Sequence, residues 1–547
     1  MPDTFIIKKI FNLIVAFFVI APSTAQSLQR PQLVVGVVVD QMRWDYLYRY
    51  YDRYAENGGF KRLIKQGFNC DNTFIPYVPT ITACGHASIY TGSVPSINGM
   101  TGNFWWDNRL NRTVYCTEDS SVKTVGSNTT AGLQSPRNLL TTTIGDELRL
   151  ATNFKSKVTG VALKDRGSIL PAGHNASSAY WFDIKTGGWI TSDYYMKNLP
   201  EWVKNFSSQK LIDTYYKEGW KTLYPLNTYT QSAADENDYE AKPFGAAAKG
   251  FPYNFTGFAG NNYNAVLATP FGNILTVEFA KQAIINEQLG TDSITDLLAV
   301  SFSSPDYVGH SFGPNSVEEE DTYLRLDKDL GDFLNFLDTK VGKGQYVLFL
   351  SADHGVASVP AFSRDHNIPA GSIDFLSLAD TMNALLKEKF GQNNLVAAIA
   401  NYQVSLNLPV IASSSLKITD IKNWIINYLS KQPGVDRVID LEDLYKAPLN
   451  IKVREMIANG YNPGRSGQIQ IILQPQWLDG FGKGGTTHGA WNPYDAHIPL
   501  LWYGWGIKPG KTSREVYMTD IAPTLAFLLH IQMPSGSIGS VIPEIFK

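Results

Sequence analysis

The chain has 547 residues, of which 44% are hydrophobic and 18% charged, with a formal net charge of −3. This length and composition exclude a disordered chain or a single small core, and fit a large domain with insertions or two to three domains. The near balance of charge excludes a generic nucleic-acid coat and a polybasic membrane anchor, so no nucleic-acid partner is expected.

Lys8 and Lys9, the apolar run Ile10 to Ile20 and the small residues Ser23-Thr24-Ala25 follow the pattern of an export signal over residues 1–25. The mature chain, 26–547, is then expected in the periplasm or secreted, with no membrane segment after cleavage. "QLVVGVVVDQ" reads as a buried strand running into Asp40. "PTITACGHASIYTG", Pro79 to Gly92, reads as a turn followed by a helix from Ala83 to Tyr90. A hydroxyl in that helix's first turn would stand beside free N–H groups and the positive end of the dipole, which favours an alkoxide and also phosphoryl oxygens that collect there. Thr80 and Thr82 both fit, and either can equally serve only as the N-cap.

"VALKDRG" puts Lys164 and Arg166 two apart after a strand-like run. Arginine binds phosphate oxygens through two parallel donors and lysine adds a point charge, although an isolated K-x-R is usually an exposed turn. Residues 165–272, rich in Trp, Tyr, Asn, Gly and Ser, are expected to be an inserted cap region. "ITDLLAVSFSSPD" then runs into Asp306, with His310 four residues on, and apolar spacings of three and four predict a helix from Asp321 to Leu337. "QYVLFLSADHG" runs into Asp353-His354. A second insertion is expected over 367–480, with a helix in "KITDIKNWIINYLSK" and a strand in "GQIQIILQPQW". "GGTTHGAW" supplies His488, and "HIPLLWYGWG" reads as a further parallel strand. Strands alternating with helices predict an α/β core with a largely parallel sheet, whose ligands bind beyond the carboxyl ends of the strands. Cys70, Cys84 and Cys116 form no disulfide framework; in an oxidising compartment Cys70 and Cys116 can pair and leave Cys84 free.

Asp40, Asp306, His310, Asp353, His354 and His488 make a set of three carboxylates and three imidazoles, suited to two zinc-type ions. Each piece is ordinary alone: D-x-x-x-H is commonly a helix start, and Asp-His a turn. The weight lies in the conjunction, because three of only eight histidines sit in these motifs. His174, His366, His497 and His530 fit no pattern and are read as structural.

The ordered series "VVVDQMRWD", "PTITACGHASIYTGSVPSINGMTGN", "LKDRG", "SPDYVGH", "SADHG" and "THG" resembles the alkaline phosphatase superfamily, in its nucleotide pyrophosphatase/phosphodiesterase-like branch. It is most similar there to bacterial alkaline phosphatases with a threonine nucleophile. The resemblance implies an alkaline-phosphatase-like α/β core, a largely parallel sheet between helices, with inserted caps. It implies Thr82 as nucleophile and metal ligand, Thr80 as a turn residue, His86 as packing, and Asn103 as a phosphate ligand. One zinc would be held by Asp306, His310 and His488, the other by Asp40, Asp353 and His354. Lys164 and Arg166 would contact the phosphoryl group, which implies phosphate monoesters hydrolysed through a phosphothreonine with two Zn2+. The sequence departs from the best-known alkaline phosphatases, which use serine and a third, magnesium site: it offers no ligand set assignable to magnesium, so two metals are expected. "TDIAPTLAFLL", Thr519 to Leu529, resembles the helix that closes the core. A phosphodiesterase or nucleotide pyrophosphatase is the nearest rival, and an inactive binding protein of the same fold a more distant one. A sulfatase is disfavoured because Cys84, in "CGHAS", lacks the C/S-x-P-x-R context. The large insertions point to a monomer.

Overall fold

The computed structural model describes residues 29–245, 247–480 and 484–546, so the expected signal peptide, 1–25, lies outside the described residues. Every residue of Leu33–Val39 (β1) is buried, as a run of valines with no polar alternation requires of a central strand. β1 pairs in parallel with Asp296–Phe302 (β7) on one side and Tyr346–Ser351 (β8) on the other. Val37 stands opposite both Val300 and Leu350. Val158–Ala162 (β4) lies parallel to β7, and Ser178–Asp183 (β5) parallel to β4.

Around this parallel centre the sheet turns antiparallel. Leu500–Gly504 (β10) pairs antiparallel with β8, where a parallel strand was expected from its apolar run. Periodicity reports burial on both faces but carries no direction, and direction was the part misjudged. Phe68–Phe74 (β2) follows, carrying His497–Ile498 (β9) antiparallel and Gly510–Tyr517 (β11) in parallel. At the other edge Gly188–Ser192 (β6) and then Thr124–Val125 (β3) are added antiparallel. Among the described residues the sheet has 11 strands.

The helices that bear on the site are Thr82–Thr91 (α1), Asp165–Ala172 (α2), Phe271–Asn286 (α3), Ser304–Phe312 (α4), Val317–Leu337 (α5) and Ile521–Leu529 (α6). α5 begins before the expected Asp321, because the Ser316 hydroxyl accepts the Glu319 N–H at 3.1 Å and caps the extra turn.

Within 165–272, α2, β5 and β6 belong to the main sheet and its flank. Only the stretch after Leu199 leaves it, as the short helices Glu201–Ser208 and Leu211–Glu218 and an aromatic cluster of Tyr216, Trp220, Tyr253 and Phe255 beside Phe312. Residues 367–480 hold a separate four-stranded antiparallel sheet (396–400, 403–406, 469–473, 435–440). Its core is its own, with Met382, Val404, Ile421, Ile425 and Ile469. All three cysteines are buried free thiols, so Cys70 and Cys116 are not joined. Cys70 lies on β2 within the main core, whereas Cys116 packs in a smaller cluster with Trp105 and Leu170.

Candidate active site

The carboxyl ends of four adjacent parallel strands deliver most of the expected site. Asp40 follows β1, and Asp353 and His354 follow β8. α4, with Asp306 and His310, follows β7, and Lys164 and Arg166 follow β4. His488 arrives on the loop after Gly485, and Thr82 opens α1. Asp40, Thr82, Asp306, Asp353, His354 and His488 are all buried, and His310 is partly so.

α1 reaches this edge by close approach. A Cβ on Gly85 would stand 2.4 Å from the Asp353 carbonyl oxygen and 2.5 Å from the Asp353 Cβ. Only glycine lets the helix lie there. Gly85→Ala is therefore expected to cost about 1–3 kcal/mol of stability. By moving Thr82 away from Asp353 and His354 it should also lower turnover at least about tenfold. Thermal melting and initial rates on one preparation check both.

Three imidazoles are oriented alike. His310 Nδ1 lies 2.7 Å from the Thr486 carbonyl, His488 Nδ1 2.7 Å from the Thr80 carbonyl, and His354 Nδ1 3.0 Å from the Gly355 carbonyl. A carbonyl only accepts, so each Nδ1 carries the proton and each Nε2 turns a lone pair inward. His354 and His488 stack with ring centroids 3.5 Å apart. Burial holds His354 and, more strongly, His488 below the ordinary imidazole range, and for His488 the neighbouring rings add to the effect.

The carboxylates crowd the same space. Burial pushes Asp40 well above the usual carboxylate range; Asp353 and Asp306 add to the rise and Lys164 opposes it. Burial also raises Asp306, but His310 and Lys164 outweigh it and bring Asp306 well below that range. Among the described residues, Asp40 Oδ1 is buried without a hydrogen-bond partner, while Asp353 Oδ2 has His86 Nδ1 3.2 Å away.

The ligand atoms of Asp306, His310 and His488 lie within 4.8 Å of one another, and so do those of Asp40, Asp306 and His354. Asp353 adjoins the second set, with Oδ2 3.4 Å from His354 Nε2, while its Oδ1 accepts the Gln41 backbone N–H at 3.1 Å. Asp306 thus faces both sets. Inward lone pairs, an orphaned carboxylate oxygen and a mixed nitrogen–oxygen donor set fit transition-metal ions of the zinc type.

Thr82 Oγ1 lies 3.4 Å from His354 Nε2 and caps nothing. The Thr80 hydroxyl is instead spent on the Ala490 carbonyl at 2.9 Å. Asn103 Oδ1 accepts the Ala83 N–H at 3.0 Å, which sets its amide beside the start of α1. His86 Nδ1 donates to the Thr82 carbonyl at 2.9 Å and lies 3.2 Å from Asp353 Oδ2, and its Nε2 accepts from the Ser301 hydroxyl at 2.8 Å.

Lys164 Nζ bridges Asp40 Oδ2 at 2.7 Å and Asp306 Oδ2 at 2.5 Å, within the carboxylate cluster. Arg166 Nη1 donates to the Tyr115 hydroxyl at 3.2 Å, and that hydroxyl donates to Asp165 Oδ1 at 2.5 Å. The Arg166 Nε is buried without a partner. Tyr115 and Gln41 were missed in the sequence. Gln41 sits beside Asp40 in a quoted motif, but nothing in local spacing marks Tyr115, which reaches the site from the hairpin of Phe104–Asp107 and Arg112–Tyr115.

A family model described as type I phosphodiesterase / nucleotide pyrophosphatase matches residues 34–495. A protein of Myroides odoratus named as a calcium-transporting ATPase is 53% identical over 98% of this chain and 98% of its own. Alkaline phosphatase PhoV of Synechococcus elongatus is 54% identical over 95% of this chain and 94% of its own. The crystal structure of wild-type alkaline phosphatase PafA superposes with a TM-score of 0.93 at 50% identity, covering 95% of this chain and 100% of that one; the curated PafA sequence comes from Elizabethkingia meningoseptica.

Proposed function

Because the chain belongs to the type I phosphodiesterase / nucleotide pyrophosphatase family of the alkaline phosphatase superfamily, we propose that it is an alkaline phosphatase that hydrolyses phosphate monoesters through a phosphothreonine on Thr82. The observation that supports this reading is the gathering of Asp40, Asp306, His310, Asp353, His354 and His488 at one end of the sheet, with Thr82 Oγ1 3.4 Å from His354 Nε2. We assign Asp306, His310 and His488 to one Zn2+, and Asp40, Asp353 and His354 with Thr82 to the other. Zinc bound there would lower the pKa of an attached hydroxyl and neutralise charge on a departing oxygen.

In this reading Thr82 Oγ1 attacks phosphorus in line, and the bond to the leaving oxygen breaks on the opposite side. The start of α1, where Thr82 stands, favours the phosphoryl oxygens through its dipole. Asn103, oriented by its bond to the Ala83 N–H, offers its amide hydrogens to one equatorial oxygen. Arg166, steadied by Tyr115, and Lys164 supply the positive charge that a dianion needs and a diester does not. Water then attacks phosphorus, releases phosphate and restores the Thr82 hydroxyl.

A solved PafA variant carries substitutions at a threonine, an asparagine, a lysine and an arginine, the residue types that stand here at 82, 103, 164 and 166. The Arg166–Tyr115 arrangement favours monoesters over the diesters of the family's name. Arg166→Ala is expected to lower kcat/KM for a monoester by roughly ten- to a hundredfold, the worth of a charge-assisted hydrogen bond, and to change that for a diester of the same leaving group far less. Equal losses on the two esters would overturn the monoester assignment.

The Myroides odoratus relative's name points to ATP, whose terminal phosphoryl group is also a dianion, so ATP belongs in the substrate panel. No helix of the described residues is long and apolar enough to cross a membrane. We place the mature protein in the periplasm or outside the cell, as a monomer.

A further inference from the structure

Gln41 touches both ligand sets and is held in a conformation that side chains avoid. Its φ is 68°, the left-handed region, and it is fully buried. Its backbone N–H donates to Asp353 Oδ1 at 3.1 Å and its side-chain Nε2 to Asp306 Oδ1 at 2.6 Å. The chain neighbour is Asp40. One residue therefore fixes carboxylates that come from three different strands.

The amide's other end is open. Among the described residues, Gln41 Oε1 is buried without a donor. It lies over Gly309 of α4, where a Cβ would stand 2.0 Å from Gln41 Oε1 and 3.5 Å from Glu319 Oε1. Glu319, from the first turn of α5, is fully buried, and neither of its oxygens has a partner. The rings of Tyr46, Tyr50 and Tyr323 pack on one another within reach of the Glu319 charge, and among the described residues their buried hydroxyls also lack partners. Both oxygens close on Gly309, and two unpaired acceptors in one buried space repel; a proton on one lets the pair hydrogen-bond. Burial raises Glu319 well above the usual carboxylate range, Asp306 adds to that, and Arg49 and Arg43 oppose it.

We propose that Gln41 and Glu319 are positioning residues for the metal centre: Glu319, in its acid form, donates to Gln41 Oε1 and locks the amide so that Nε2 faces Asp306. Asp306 then accepts rather than rotates, and keeps its place between the two ligand sets. The inference rests on the metal-site reading above, which is why its test reads metal retention as well as turnover.

Three variants of the full-length protein are loaded with zinc and dialysed against graded chelator, with zinc content, kcat, KM and melting temperature measured on each. Glu319→Gln keeps a donor of the same shape without a charge, so zinc retention and kcat should stay within about twofold of the parent. Glu319→Leu removes the donor and Gln41→Gly removes the amide while relieving the left-handed backbone. Both should retain zinc about 10–100-fold less tightly, as is usual when a supporting partner of a ligand is lost, with kcat falling and KM little changed. Rescue by glutamine separates positioning from packing, because a leucine that fills space would serve packing equally. The proposal is overturned if Glu319→Gln loses zinc as Glu319→Leu does, which would mean that the carboxylate charge is what counts. It is equally overturned if Gln41→Gly folds and holds zinc like the parent. Failure of the parent to bind zinc at all would instead sink the metal-site reading.

Discussion

Thr82→Ala is expected to lower phosphate release from a monoester at least about 10³-fold, the scale of loss when a covalent nucleophile is removed. Thr82→Ser should keep turnover within about tenfold, because the attacking oxygen survives. The expectation follows from the different surroundings of two threonines that the sequence leaves equivalent. The Thr80 hydroxyl is committed to the Ala490 carbonyl, 2.9 Å away, and the Thr80 carbonyl holds His488 Nδ1 at 2.7 Å. Thr82 Oγ1 caps no helix and faces His354 Nε2. Thr80→Ala should cost about 1 kcal/mol of stability through a lost hydrogen bond, with activity reduced only modestly. Initial rates and thermal melts of the three variants decide it. An alanine at 82 that turns over like the parent would remove the covalent step.

Removal of bound metal is the second large effect. A chelator should abolish turnover by on the order of 10²-fold or more, and zinc should restore it where magnesium does not. Imidazole-rich sets prefer zinc-like ions, whereas magnesium seeks oxygen ligands and keeps its water. Stability should fall in the same step. An ion that binds only the folded chain contributes about 2.7 kcal/mol at a free concentration a hundred times its dissociation constant. Without it, Asp40, Asp353 and Asp306 face one another with Lys164 as the bridging cation. Metal-free protein, verified by metal analysis, that keeps its melting temperature and its activity would contradict the account.

Much of the core was readable because burial leaves a plain mark. "LVVGVVV" has no polar face, so it had to be a central strand, and the polar residue that ends it, Asp40, had to stand at the sheet's edge. The same logic placed Asp353 after β8 and Lys164 after β4. The direction of β10 was not readable, because an apolar run looks alike in either sense. The run Val317-Glu318-Glu319-Glu320-Asp321 opens α5 and is buried in the fold, although the apolar spacings start the helix only at Asp321. Tertiary packing decides their fate, and a charge run carries no sign of it. The left-handed Gln41 was equally invisible, since that region is ordinarily the province of glycine or asparagine. Asp306 shows the limit of motif reading most clearly. The resemblance gives it to the set of His310 and His488, while its place in the first turn of α4, just after β7, brings it to both.

That ambiguity makes the metal positions the sharpest test. Anomalous diffraction at the zinc edge, from crystals grown with zinc and a phosphate analogue, locates the ions directly. Two peaks are predicted, one bonded to Asp306, His310 and His488, the other to Asp40, Asp353, His354 and the Thr82 oxygen. A single peak, or a pair whose ligands leave out Thr82, would contradict the assignment of that hydroxyl as the nucleophile.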